Sequence, residues 1–181
     1  MTEADVFAQA FAMVVGHEGG YCNEGNDPGN WTSGRVGSGQ LIGTKFGISA
    51  AAYPTVDIAN LTLADAQMIY RRDYWIKSAA DRLPPALALL VFDASVNNGV
   101  GRAARWLQLA VGTAQDGLIG PGTLAAVEAK VAQLGGAALC AEFQARRLVF
   151  MADLPTWRAF GLGWARRLCA LPYESLTMGA A

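Results

Sequence analysis

Apolar residues recur at helical spacing along most of this chain, and the stretch 21–49 is the one long place where they do not. Before it, Val6, Phe7, Ala10, Phe11, Val14 and Val15 line one helical face. Thr2-Glu-Ala-Asp5 is a capping box that opens this first helix. Gly19-Gly20 is expected to close it, because glycine takes the left-handed conformation that a helix end requires. That reading delivers Glu18 at the end of a packed helix. From Tyr21 to Ser49 glycine, asparagine and serine dominate, and Asp27-Pro28-Gly29 reads as a turn. Long irregular segments inside compact domains tend to carry function. Within this one, Gln40-Leu-Ile42 and Lys45-Phe-Gly-Ile48 are the pieces from which a small β-hairpin is expected.

Beyond the loop everything reads helical. Thr62-Leu-Ala-Asp65 is a second capping box, leading into a helix that includes Met68, Ile69, Tyr70 and Trp75. Pro84-Pro85 begins a helix over 86–96, which Asn97-Asn98-Gly99 ends. Another continues over 102–110. The run from Asp116 to Thr123 is a turn, with Pro121 suited to the first turn of the helix after it. Two more helices are predicted over 137–152 and 156–170, separated by Pro155. The fold class is therefore mainly α with a small β element, and no internal repeat is present.

A length of 181 residues suits one compact domain, or one with a small annex. Hydrophobic residues make up 52% and charged residues 16%, which excludes a disordered chain. Fourteen Lys+Arg against 15 Asp+Glu give a net charge of −1, so binding of nucleic-acid phosphates is not expected. The longest apolar run, 86–92, is far short of the ~20 residues that cross a bilayer, so no stable membrane insertion is expected. Acidic Glu3 and Asp5 precede the first apolar stretch, unlike a signal peptide, and synthesis in the cytoplasm is expected. Cys22, Cys140 and Cys169 lack zinc or redox spacing and read as small buried hydrophobes. The arginine pairs beginning at Arg71, Arg146 and Arg166 read as solvated helix faces.

The loop region gathers Glu18, Asp27 and a threonine, either Thr32 or Thr44. Glycoside hydrolysis needs one carboxylic acid that keeps its proton and a second group that handles water or oxocarbenium charge. A helix carboxyl end disfavours negative charge, so Glu18 there is expected to hold its proton. Asp27, in a polar turn, is expected to stay ionised. His17, the one histidine, reads as a helix-end cation rather than a base, and no metal or cofactor is implied. Gly43-Thr-Lys45 is in the wrong order for a phosphate loop, and no serine sits in a nucleophile elbow. Tyr21 and Trp31 can stack on sugar rings, Trp31 being the better candidate; Tyr74 and Trp75 read as core.

His17-Glu-Gly-Gly-Tyr21, Asp27-Pro-Gly29 and Thr44-Lys-Phe-Gly-Ile-Ser49, in that order, resemble glycoside hydrolase family 108, the N-acetylmuramidases of phage endolysins and secretion-activator proteins. Asp93-Ala-Ser-Val-Asn-Asn-Gly99, Arg102-Ala-Ala-Arg-Trp-Leu-Gln108 and Asp116-Gly-Leu-Ile-Gly-Pro-Gly-Thr123 are similar to the peptidoglycan-binding domain that accompanies it. The resemblance implies a lysozyme-like helical fold with the hairpin next to a catalytic cleft. It implies a catalytic region over 1–93 and a helical peptidoglycan-binding region over 94–181, packed as one body. The activity it implies is cleavage of the β-1,4 bond between N-acetylmuramic acid and N-acetylglucosamine. The family's catalytic glutamate falls on Glu18, with Asp27 as second member. An extra stretch, Asn30 to Gly43, leaves Thr32 or Thr44 as the third; Thr44 is preferred because Thr-x-x-Gly-Ile is intact around it. Tyr21, Trp31, Thr32 and Asn97 are the substrate-binding candidates. Peptidoglycan glycan strands are the implied partner, reached outside the cytoplasm by release through a pore such as a holin, and a monomer is expected. A silent binding module and a lytic transglycosylase are the alternative activities.

Overall fold

In the computed structural model, residues 2–16 and 20–177 are described. His17, Glu18 and Gly19 lie outside the described residues. The chain divides into two compact units, a loop-rich unit of Phe11–Tyr70 and a helical unit of Met1–Ala10 with Arg71–Ala181.

Helix α1 (Glu3–Val15) opens as the capping box requires. The Asp5 N–H donates to Thr2 Oγ1 at 3.2 Å, and Asp5 Oδ2 accepts from the Thr2 N–H and hydroxyl at 2.8 and 2.7 Å. The helix closes earlier than expected. Gly16, with φ +69°, donates its N–H to Ala12 at 3.0 Å, so the terminator is Gly16 and not Gly19-Gly20. The first glycine in the chain able to take the left-handed conformation ends the helix. In the helical unit Phe7 meets Trp75 edge-on at 5.4 Å, and both rings pack against Phe92. Trp75 is fully buried, and its indole N–H reaches Glu3 Oε1 at 2.7 Å.

Helix α2 (Leu63–Tyr70) runs on into a π-helical turn, Arg71–Ile76. Helix α3 (Pro85–Asn98) is the centre of the helical unit, buried without interruption from Leu87 to Ser95. A helix apolar all round belongs inside a core. Helices α4 (Val100–Val111), α6 (Gly136–Ala152) and α7 (Trp157–Thr177) pack on it, while α5 (Pro121–Leu134) packs on α4 and α6.

The one acidic residue of α3, Asp93, has no exposed surface. Arg147 of α6, 1% exposed, donates to its Oδ2 at 2.5 Å, and Arg167 of α7 donates to its Oδ1, through Nε at 2.9 Å. The Asn97 amide donates to the Asp93 carbonyl at 2.8 Å, and Asn98 Oδ1 accepts from Arg147 Nε at 2.9 Å. The second members of two arginine pairs thus bind a buried carboxylate, Arg147 from the interior, contrary to the expectation of a solvated face, and Arg167 with its side chain still partly exposed. Arg71, Arg72 and Arg146 do lie on the surface.

Two further polar side chains hold backbone that helix geometry leaves unpaired. Gln108, 1% exposed, donates to Asp116 Oδ1 at 2.6 Å and to the Leu118 carbonyl at 3.0 Å, and accepts from the Gly117 N–H at 2.9 Å. Those bonds fold the turn before α5 and hold the Asp116 carboxyl below the usual carboxylate range. Helix α7 extends past residue 170, where it was expected to stop, and contains Pro172. Proline cannot donate to the carbonyl four residues back. That carbonyl, Leu168, accepts instead from Gln144 Nε2 of α6 at 3.3 Å.

All three cysteines are free; Cys140 is buried, as expected, but Cys22 and Cys169 are exposed. Among the described residues no single helix is long and apolar enough to cross a membrane, although α5 and α6, bent by 117°, pass that test as a pair.

Breaking a buried ion pair by removing one partner costs about 3–5 kcal/mol. Arg147→Ala is therefore expected to lower the melting temperature by about 10 °C. Arg146→Ala, which loses an exposed pair with Glu142, is expected to change it by less than about 2 °C; thermal unfolding of both variants checks this. Burial pushes the Cys140 thiol up to about 11, so mass spectrometry after brief alkylation of the native protein at pH 8 should find Cys22 and Cys169 modified and Cys140 intact.

Candidate active site

The loop-rich unit carries most of the candidate residues. Its core includes Phe11, Ile48, Ile58, Leu61 and Tyr70, with Phe11 and Tyr70 edge-to-face at 5.5 Å. On it sits the hairpin, strand β1 (Thr44–Lys45) paired antiparallel with β2 (Ile48–Ser49). The reversal is Phe46-Gly47, both with positive φ, as a two-residue turn of this hand requires. The Tyr70 hydroxyl donates to the Phe46 carbonyl at 3.1 Å and lies where a Cβ on Gly47 would fall, so only glycine fits. Of the two apolar pieces expected to form a hairpin, Lys45-Phe-Gly-Ile48 does so. Gln40-Leu-Ile42 pairs elsewhere.

Asp27 caps a short 3₁₀ turn, Pro28–Asn30, by accepting the Gly29 N–H on Oδ1 at 2.8 Å. The residue is exposed. One carboxylate oxygen is held by backbone, and the other faces solvent with no hydrogen bond among the described residues. Thr44 lies between two neighbours: its backbone exchanges bonds with Cys22 at 2.7 and 2.9 Å, and Ser49 is its partner on the other side. Its hydroxyl makes no hydrogen bond among the described residues. Thr32 differs. Its N–H donates to the Gln40 carbonyl, and its Oγ1 accepts the Gln40 N–H, both at 2.9 Å.

Trp31 is half-buried, bridged to Leu41, and its indole N–H donates to Gly25 at 2.9 Å. Tyr21 is 42% exposed; its ring lies on Gly43, where a Cβ would come within 2.6 Å, and its hydroxyl donates to Ile42 at 3.3 Å. Asp27, Thr44, Thr32, Tyr21 and Trp31 thus share one hydrogen-bonded loop system. Asn97 belongs to the helical unit, where its amide is occupied by Asp93.

Sequence reasoning missed Asn30. It is fully buried in a loop of exposed residues, and its carbonyl accepts both the Ile42 and Gly43 N–H groups, at 3.0 and 3.1 Å. That closes the extra stretch at its neck, so Thr44 follows directly on a residue tied to the Asp27 turn. A lone asparagine after Asp-Pro-Gly carries no signal of burial, because the burial comes from backbone that arrives from residues 42–43. Among the described residues, no three His, Cys, Asp or Glu side chains are placed to hold a metal ion.

Residues 11–99 match the family Glycosyl hydrolase 108, and residues 102–169 match a family described as Predicted Peptidoglycan domain. No curated protein sequence matches the chain. Among solved structures, that of Brucella abortus SagA is similar at 32% identity and a TM-score of 0.77, over 96% of this chain and 95% of that one. The mainly α-helical, lysozyme-like fold with its small hairpin is the one expected. Matched along nearly all of its length, the chain belongs to the glycosyl hydrolase 108 family and is a glycosidase with peptidoglycan as its substrate.

Proposed function

We propose that the chain is an N-acetylmuramidase, hydrolysing the β-1,4 bond between N-acetylmuramic acid and N-acetylglucosamine of the bacterial wall. Glu18 is the general acid, which protonates the leaving glycosidic oxygen as the bond to the anomeric carbon breaks. Asp27 takes a proton from the attacking water or carries the opposing charge of the oxocarbenium-like transition state. Thr44 orients that water or the sugar through its hydroxyl.

The observation that carries this reading is the contrast between the two threonines of the loop system that holds Asp27. Thr32 spends its hydroxyl on the Gln40 backbone, whereas the Thr44 hydroxyl has no partner among the described residues and sits on a strand held from both sides. A catalytic side chain needs its polar atom free and its backbone rigid. The Asp27 carboxylate meets the same description, one oxygen pinned and one open. Glu18 rests on family membership and on its place in His17-Glu-Gly-Gly-Tyr21. Trp31 and Tyr21, anchored and partly open, support stacking against sugar rings.

Folded Glu18→Gln is expected to clear purified peptidoglycan at least about 100-fold more slowly than wild type, the loss of a general acid. Reducing-end N-acetylmuramic acid should be the product by mass spectrometry. Anhydro products alone would make the protein a lytic transglycosylase, and binding without clearing would make it a silent module. For the threonines the expectation is a crossed result. Thr32→Val should lower stability by about 1 kcal/mol through the lost Gln40 bond and leave the rate of the folded protein near wild type. Thr44→Val should keep stability within about 0.5 kcal/mol while losing about 10-fold or more in rate.

A further inference from the structure

We infer that Asn30 is a positioning residue for this reaction: its buried amide fixes the base of the turn carrying Asp27, and its backbone carbonyl ties that turn to the residues leading into Thr44. The inference rests on the hydrolase reading above. Three segments converge on it. Its backbone N–H donates to the Asp27 carbonyl at 3.1 Å, which closes the 3₁₀ turn. Its carbonyl receives Ile42 and Gly43, the two residues leading into Thr44. Its side-chain amide donates to the Glu24 carbonyl at 3.0 Å, the same oxygen that receives the Asp27 N–H at 3.2 Å.

Only the last of these bonds needs an asparagine, and the burial of the residue makes the choice costly. Asn30 Oδ1 is buried and has no hydrogen-bond partner among the described residues. A buried acceptor without a donor is unfavourable, so an apolar side chain would be the better filler if packing were its only task. What the amide supplies is a donor at the base of the Asp27 turn. The extra stretch beyond it is mechanically separate. Trp31 bridges to Leu41 and Thr32 to Gln40, so the exposed tip, residues 33–39, hangs from a closed neck. The neck, together with the Ala51 N–H that donates to the Gly29 carbonyl at 3.0 Å, sets the relation of Asp27 to Thr44, and the tip does not.

The test compares wild type with Asn30→Ala, Asn30→Asp and a variant in which Asn-Gly replaces residues 33–39, the two-residue link a hairpin accepts. Each is assayed for kcat and KM on soluble peptidoglycan glycan strands and for thermal unfolding. Asn30→Ala is expected to lose about 10- to 100-fold in kcat, the scale of a misplaced catalytic group, with KM within about threefold. Asn30→Asp should be as slow at neutral pH. It should recover toward wild type as pH falls, because a buried carboxyl has its pKa raised and in its protonated form can again donate to the Glu24 carbonyl. The shortened variant should stay within about twofold of wild type.

An Asn30→Ala protein that melts lower but keeps its kcat overturns the inference, since Asn30 would then serve stability alone. If that variant does not fold, the Asn30→Asp protein decides: a ratio to wild type that stays flat between pH 5 and 8 overturns it equally. Loss of activity in the shortened variant overturns the separation of neck from tip. An inactive wild type sinks the hydrolase reading itself, whereas an active wild type with an unaffected Asn30→Ala sinks this inference alone.

Discussion

Asp93 is a carboxylate with no exposed surface, and the helical unit is arranged around it. The guanidinium groups of Arg147 and Arg167 reach it from α6 and α7, Asn97 donates to it from α3 itself, and Asn98 of α3 accepts from Arg147. Removing two charges from water costs several kcal/mol for each ion, and their attraction returns that only when geometry is good and every polar atom is bonded. The cluster is therefore not a large net source of stability. Its consequence is register. Helices faced with Leu, Ala and Val can slide past one another at small cost. A carboxylate that must meet two guanidinium groups permits one setting of α6 and α7 against α3.

The same logic recurs at lower charge. Gln108 makes the turn before α5 a specific structure by meeting its side-chain, carbonyl and N–H groups together. Gln144 lets α7 run through Pro172 by taking the carbonyl that the proline cannot serve. In each case one buried amide serves a backbone group that lacks a helical partner, the Gly117 N–H or the Leu168 carbonyl, and such a group left unpaired inside the protein costs about 1–3 kcal/mol. The loop-rich unit works with fewer apolar residues and depends on such bonds still more. There the Asn30 backbone N–H and carbonyl and its side-chain amide tie residues 24, 27, 42 and 43 together. A long glycine-rich segment thereby holds an open carboxylate and an open hydroxyl on fixed backbone.

Much of the fold is legible in the residues because it follows from local chemistry. Both Thr-x-x-Asp capping boxes form with the hydroxyl and carboxylate bonds that their spacing demands. Gly99 ends α3, Pro121 starts α5, and Phe46-Gly47 turns the hairpin, each for a reason that a few neighbouring residues contain. The order of His17-Glu-Gly-Gly-Tyr21, Asp27-Pro-Gly29 and Thr44-x-x-Gly-Ile48 was enough to identify the family. The candidate site is legible to the same depth: its residue types and their order, with two threonines left in competition.

What the sequence by itself determined is the set of elements, their caps and stops, and the chemical class of the site, because dihedral preference, capping and hydrophobic spacing act within a turn or two of chain. What only the tertiary structure decided is which polar groups are inside. Arg147 is buried while its neighbour Arg146 is not, α7 continues through a proline, and among the described residues the Thr44 hydroxyl has no partner where that of Thr32 does. Each of these turns on a partner tens of residues away or on a backbone group arriving from another segment: Asp93 for Arg147, Gln144 for Leu168, the Gln40 N–H for Thr32. A hydrogen bond is directional and short, so its existence depends on where two distant segments come to rest.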